Sequence, residues 1–187
     1  VAERAVGLEI EGGRATAHFA RHGRASPALL VVACGAASGE LLRTAGIRVP
    51  LIAERGYHLR ADPGAWPAST PPVVYEDRSM IVTRYADALQ AASFVEFGRR
   101  EAPPDPRKWA RLREHLEALG LPFAGPLRPW MGARPTLPDY LPALGHSARA
   151  ANLVHAYGHQ HLGLTLAAIT GELVAALAAG DEPAVDL

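Results

Sequence analysis

Thiol chemistry is nearly absent from this chain: its 187 residues hold one cysteine, Cys34. An internal disulfide is therefore impossible, and so is a cysteine-rich zinc site. A reducing compartment is the natural setting for such a chain. An excess of one charge is missing too. Nineteen Lys and Arg balance nineteen Asp and Glu, which argues against a nucleic-acid partner, since such proteins carry a basic surplus. A small anionic substrate stays open, because one well-placed arginine is enough for it. No apolar run reaches the length that spans a bilayer. The richest stretch, 162–179, is interrupted by Thr165, Thr170, Gly171 and Glu172. No secretory leader is read at the start, where Glu3 and Arg4 are followed by no apolar run. The chain opens on Val1 and not on Met, as expected of a fragment, a processed chain or a trimmed one. The expected location is cytoplasmic, with peripheral attachment at the inner membrane left open.

What is present is apolar enough to fold: 49% of the residues are hydrophobic, and the length suits one ordinary domain or a large piece of a bigger enzyme. Alternation and turn residues predict a hairpin over 6–10 and 15–19 about Gly12 and Gly13. A short, wholly apolar strand over 29–33 follows, then a helix over 38–45 that Gly46 ends. A long strand is expected over 49–59, a loop over 62–72, and a meander over 73–76, 80–85 and 89–97. Asp105 and Pro106 read as the cap and first position of a helix to about Leu119, with Trp109, Leu112, Leu116 and Leu119 on its apolar face. The prolines of 122–142 predict an irregular segment. A short strand over 153–156 and a helix over 162–179, buried through Leu166, Ile169, Leu173 and Leu177, close the chain. The expected fold class is α/β (α+β), a mixed body with a mainly antiparallel sheet.

Three constellations carry chemistry. The first is Gly158-His159-Gln160-His161-Leu162-Gly163-Leu164-Thr165, between a strand and the last helix. Glycines there let the backbone approach a flat ligand, and the free N–H groups of a helix start favour an anion such as a phosphate or the N1–O2 edge of a reduced flavin. A plain glycine-rich turn before a surface helix explains the same letters. A metal reading of His155, His159 and His161 is disfavoured, because no carboxylate or cysteine completes the set. The second constellation runs from Trp130 to Asp139 and sets Arg134 among apolar and rigid residues. An arginine so placed needs a planar anion; a substrate carboxylate would serve, and so would an internal bridge to Asp139 or Glu96. The third, Glu54 to His58, offers Tyr57 and His58 as walls of a polar pocket, or as the decoration of an edge strand. Cys34, after an apolar strand and without a neighbouring base, reads as a buried packing residue.

In this order the segments resemble the C-terminal part of the D-amino-acid oxidase/dehydrogenase superfamily of flavoproteins, and among them the bacterial D-amino-acid dehydrogenase type. The resemblance is carried by Val31 to Ser38, by Pro50 to His58, by Ser93 to Phe97, by Gly132 to Gly145 and by Gly158 to Gly171. It implies FAD as cofactor and a small amino acid or amine as substrate, oxidised at its CH–NH group by hydride transfer to flavin N5. It implies that Arg134 holds the substrate carboxylate, with Tyr57 and His58 beside it. Gly158, His159, Leu162, Gly163, Leu164 and Thr165 would lie along the flavin, and Cys34 and Gly35 near the dinucleotide. Residues 1–46 would be the remnant of an FAD-binding domain, 47–135 a substrate-binding domain, and 136–187 the flavin-contacting loop and helix. The family's N-terminal βαβ unit with Gly-x-Gly-x-x-Gly is absent from the sequence. A missing N-terminal half, or a partner chain, would have to supply it. Two positions depart from the family: Ala37 stands where Trp is frequent, and Phe94 where a small residue or Thr is usual, which is expected to reshape the active-site face of the sheet. Competing readings are a sarcosine- or glycine-oxidase-like activity, and a non-catalytic binding or assembly module that has lost FAD.

Overall fold

The computed structural model describes residues 3–185. It divides into two compact units, Val1–Ala53 with Arg134–Leu187, and Glu54–Ala133.

The first unit begins with the hairpin β1 (Ala5–Glu11) and β2 (Arg14–Phe19), extended by β3 (Gly23–Ala25) into a three-stranded antiparallel sheet. Gly12 and Gly13 both take positive φ, +53° and +73°, as a two-residue turn matched to strand twist requires. A second sheet joins β4 (Leu30–Val32), β10 (Ala143–His146) and β11 (Leu153–Tyr157) in the order β10-β11-β4. Its β10/β11 pair is antiparallel and its β11/β4 pair parallel, with Leu153 opposite Leu30 and His155 opposite Val32. A 3₁₀ turn over Gly35–Ala37 leads into α1 (Ser38–Thr44). The core gathers Leu8, Ala15, Ala17, Val32, Leu42, Ala150, Leu153 and Tyr157. Distant segments are stapled by Asn152, which is buried. Its Oδ1 accepts from Ala15 N at 2.7 Å, and its Nδ2 donates to the carbonyls of Ala15 and Pro27, both at 3.0 Å.

The second unit is a five-stranded sheet in the order β6-β7-β8-β5-β9. Its strands are β5 (Ile52–Asp62), β6 (Val73–Tyr75), β7 (Met80–Arg84), β8 (Leu89–Gly98) and β9 (Ala124–Thr136). The meander is antiparallel, with Val73 opposite Val82 and Val82 opposite Ala91. Helix α2 (Pro106–Ala118) is capped as its sequence predicts: the Asp105 side chain accepts from Arg107 N, and Pro106 stands at the first position. Leu112 and Leu116 join Leu59, Met80, Val82, Leu89 and Ala91 in the core beneath it.

Three expectations need correction. The proline-rich span 122–142 contains the 13-residue strand β9. It is an edge strand, where Pro126, Pro129 and Pro135 cost fewer ladder hydrogen bonds than in a sheet's middle. The long strand lies three residues later than expected, at Ile52–Asp62, and it is an interior strand and not an edge. The last helix, α3 (Ala167–Ala179), starts five residues late, and of its expected stripe only Leu173 is buried, while Ile169 is exposed. Phe94 turns toward α2: its ring lies 6.1 Å from that of His115, and φ is +41°. The residue is thereby packed beside the core under the helix.

Candidate functional site

In the first unit, the glycine-bearing segment after β11 folds as successive turns before α3. Leu162 N bonds to the His159 carbonyl and Leu166 N to that of Leu162, both at 2.8 Å. These turns satisfy locally the groups that an earlier helix start would have used. Beside them opens a cleft of about 490 Å³, lined from β4 by Val31, from the turn after it by Ala33 and Gly35, from β9 by Pro135, and from β11 by Ala156 and Tyr157. The far wall is Gly163, Ala167, Thr170, Gly171 and Val174. The four helical members of that wall, at 167, 170, 171 and 174, share one face of α3.

His159 and Gln160 complete the cleft. The imidazole of His159 is fixed by a 2.9 Å hydrogen bond between its Nε2 and Thr170 Oγ1. Burial holds its pKa below the ordinary histidine value. Gln160 takes φ +51°, costly for a residue with a Cβ. It is held there from both sides: its N–H donates to the Pro135 carbonyl at 3.0 Å, and its side-chain amide donates to the Tyr140 carbonyl. The residue preceding Pro135 is Arg134, so the guanidinium-bearing end of β9 is tied by its backbone to the glycine loop. Gly158 sits behind, at φ +91°, where a Cβ would lie 2.7 Å from Leu137 Cδ1. Of the residues the sequence singled out along the flavin, His159 and Gly163 line the cleft, and so does Gly35, which was expected near the dinucleotide. Leu162, Leu164 and Thr165 are exposed, Leu164 at 95%. Cys34 is exposed and not buried, because β4 ends at Val32 and residue 34 lies in a turn. It faces a separate hollow with Ala37 and Thr44. Among the described residues, no group of three or more His, Cys, Asp and Glu is placed to hold a metal ion.

In the second unit, alternation along β5 separates the two polar-pocket candidates. Tyr57 turns toward α2 and is 1% exposed. Its hydroxyl donates to Glu96 Oε1 at 2.7 Å and accepts from Arg55 Nη2 and Asp105 N at 3.2 and 3.0 Å. Glu96 also accepts from Lys108 Nζ at 2.6 Å, and Arg55 Nε stands 3.2 Å from it, close enough to pair but out of line for a hydrogen bond. Bonding from Lys108, then from Tyr57, lowers the Glu96 pKa. His58 points to the opposite face of the sheet and stacks on Trp130, centroids 4.7 Å apart and planes 14° from parallel. Burial, aided by Arg60, pushes its pKa down to about 4, so the ring is neutral at neutral pH.

Sequence reasoning missed Gln160, Thr170, Gly171 and Trp130. Thr170 and Gly171 were legible only with α3 phased from residue 167, and Gln160 only from its hydrogen bond to the distant Pro135. Trp130 was hidden in a segment read as irregular.

A family model for FAD dependent oxidoreductases (DAO) matches residues 1–177. A D-amino-acid oxidase of Bradyrhizobium diazoefficiens is 36% identical over all of this chain and 45% of its own length. A D-amino acid dehydrogenase 2 of Mesorhizobium japonicum is 32% identical over 96% of this chain and 44% of its own. In fold, the chain is similar to iminodiacetate oxidase from Chelativorans sp. BNC1, with a TM-score of 0.81 at 22% identity over 99% of this chain and 51% of that one. The chain thus spans about half the length of the proteins it matches. With 177 of its 187 residues matched by that model, the chain belongs to the DAO family of FAD-dependent oxidoreductases.

Proposed function

We propose that this chain is the C-terminal, substrate-handling part of an FAD-dependent enzyme that oxidises the CH–NH group of a D-amino acid. The observation that carries the reading is the hydrogen bond from Gln160 N to Pro135 O. It fixes the strand end that bears Arg134 against the loop that lines the cleft. The cleft suits a flavin ring: its far wall carries Gly163 from the loop and Ala167 and Gly171 from α3 beside Thr170 and Val174, and Gly171 has no atom within 4 Å of where a Cβ would be. A planar ring can approach the backbone closely at Gly163 and Gly171, between the branched side chains of Thr170 and Val174. FAD, when bound, supplies the hydride acceptor.

The residues of this chain then have distinct tasks. Arg134 holds the substrate carboxylate in two-point fashion and so orients the α-carbon. Gly35, His159 and Gly163 contact the cofactor, and Gly158 shapes the loop that presents them. Leu162, Leu164 and Thr165 belong to the same loop, and Cys34 adjoins the dinucleotide. The unit Glu54–Ala133 is the substrate-binding domain, with His58 and Tyr57 on opposite faces of its strand β5. The adenine and pyrophosphate are held by the remainder of a longer polypeptide or by a partner chain, because no Gly-x-Gly-x-x-Gly unit stands in this sequence.

The test uses the complete polypeptide. It is expected to purify yellow and to be bleached by a D-amino acid. Arg134→Ala is expected to raise KM roughly 10- to 100-fold, the loss of a charge-assisted hydrogen-bond pair. A protein that takes up no flavin, or a variant with an unchanged KM, overturns the reading.

A further inference from the structure

We propose that Thr170 is a positioning residue: its hydroxyl fixes His159 in the tautomer that carries the ring proton on Nδ1, so that the imidazole donates a hydrogen bond to the bound flavin. The proposal rests on the flavin reading of the cleft and deepens it.

The observations all lie in one unit, Val1–Ala53 with Arg134–Leu187. His159 and Thr170 both line the cleft, and His159 Nε2 lies 2.9 Å from Thr170 Oγ1. Each partner is held at its backbone. Gly158 and Gln160, on either side of His159, take positive φ, +91° and +51°. Leu162 N bonds back to the His159 carbonyl at 2.8 Å. Gly163 lies over the same turn, with His159 Cβ 3.7 Å from where its own Cβ would be. Thr170 stands near the start of α3, where its N–H donates to the Leu166 carbonyl at 2.9 Å. A β-branched side chain in a helix has few rotamers. The backbone leaves the swing of the imidazole undetermined, and the bond to Thr170 sets it.

The direction of that bond decides what His159 can do. A threonine hydroxyl has one proton to give. Thr44 gives its own to the backbone: its Oγ1 lies 2.7 Å from the Leu41 carbonyl and 3.1 Å from that of Leu8. Among the described residues, the Thr170 hydroxyl has His159 as its hydrogen-bond partner and no carbonyl, so its proton goes to Nε2. A ring nitrogen that accepts carries no proton in the neutral imidazole, which places the ring proton on Nδ1. Burial lowers the His159 pKa and so favours the neutral ring. Among the described residues that line the cleft there is no Asp, Glu, Lys or Arg, so no fixed charge competes for the ring. A donor held in place before charge arrives needs no reorganisation. It favours a flavin carbonyl or ring nitrogen most strongly once two electrons have made the flavin more negative.

The experiment compares the complete polypeptide, loaded with FAD, with its Thr170→Val and Thr170→Ser variants. Valine keeps the shape and removes the hydroxyl; serine keeps the hydroxyl. The first readout is the midpoint potential of the bound flavin. Thr170→Val is expected to weaken the preference for reduced over oxidised flavin about tenfold, which for a two-electron couple is a fall of about 30 mV. Thr170→Ser is expected to stay near wild type. The second readout is the tautomer itself, read from the ring-nitrogen chemical shifts of His159. Wild type and Thr170→Ser are expected to keep the proton on Nδ1, and Thr170→Val to show both tautomers. A merely structural role would lower the thermal midpoint of Thr170→Val and leave the potential where it is. An unchanged potential in Thr170→Val, a serine variant that behaves like the valine one, or a wild-type proton on Nε2 overturns the proposal while the flavin reading stands. A polypeptide that takes up no flavin overturns the flavin reading itself.

Discussion

Glycines at 158 and 171 show how differently one residue type is used around a single cleft, the first behind its loop and the second in its wall. Gly158 combines φ +91° with a Leu137 methyl 2.7 Å from the site of a Cβ. Gly158→Ala therefore meets both a backbone penalty of about 1–2 kcal/mol and an overpacking cost of about 1–3 kcal/mol. It is expected to lower the thermal midpoint clearly. Gly171 sits in α3 with nothing within 4 Å of its Cβ direction, so Gly171→Ala is expected to stabilise the helix by about 0.5–1 kcal/mol. It nevertheless adds a methyl to the cleft wall. The discriminating measurement is flavin retention in the complete polypeptide: Gly171→Ala is expected to be more heat-stable yet to lose flavin more readily. A variant that gains stability and keeps its flavin would show that the cleft is not where the ring lies.

At the scale of elements, the legible parts were those whose signals are local. The Asp105-Pro106 cap fixed the start of α2, and the Gly12-Gly13 pair fixed the hairpin, because each satisfies a backbone requirement within a few residues. The illegible parts depended on neighbours far along the chain. Three prolines made β9 look irregular, and only its place at the sheet edge reconciles them with a strand. The start of α3 was hidden because the turns over 159–166 contain residues that would serve equally well in a helix. The clamp joining β5, β8 and α2 belongs to the same class. Arg55, Tyr57, Glu96, Asp105 and Lys108 are spread over 54 positions, from 55 to 108, and meet only in the fold. Arg55 is 3% exposed, so removing its counter-charge strands a buried cation. Glu96→Gln, which can still accept from Tyr57, is expected to cost about 2–4 kcal/mol in urea unfolding. Lys108→Met, at the more open end of the clamp, is expected to cost about 1 kcal/mol or less. Equal losses from both would mean that Arg55 draws little from Glu96.

For the molecule as a whole, each unit has its own core, and each carries histidines whose pKa burial lowers. His155 and His159 lie in the first unit, His58 and His115 in the second. A histidine whose folded pKa lies below its unfolded value of about 6.5 takes up its proton more readily when the chain is unfolded. Stability is then fully present above that pH and falls as pH drops toward the folded pKa. For His58 the window runs from about 6.5 down to about 4. Glu96, held below its usual range by Lys108 and Tyr57, adds a loss of the same sign that begins only below about 4.5. The urea midpoint is therefore expected to be flat from pH 8 to 7 and to fall steadily from pH 6.5 to 4.5, before most carboxylates titrate. After allowance for solvent screening, His58 is expected to account for on the order of 1 kcal/mol of that fall. His58→Asn should flatten the slope by that share while leaving the midpoint at pH 7.5 nearly unchanged. A pH profile that stays level until pH 4.5 would mean that the imidazole on Trp130 is open enough to charge in the folded state.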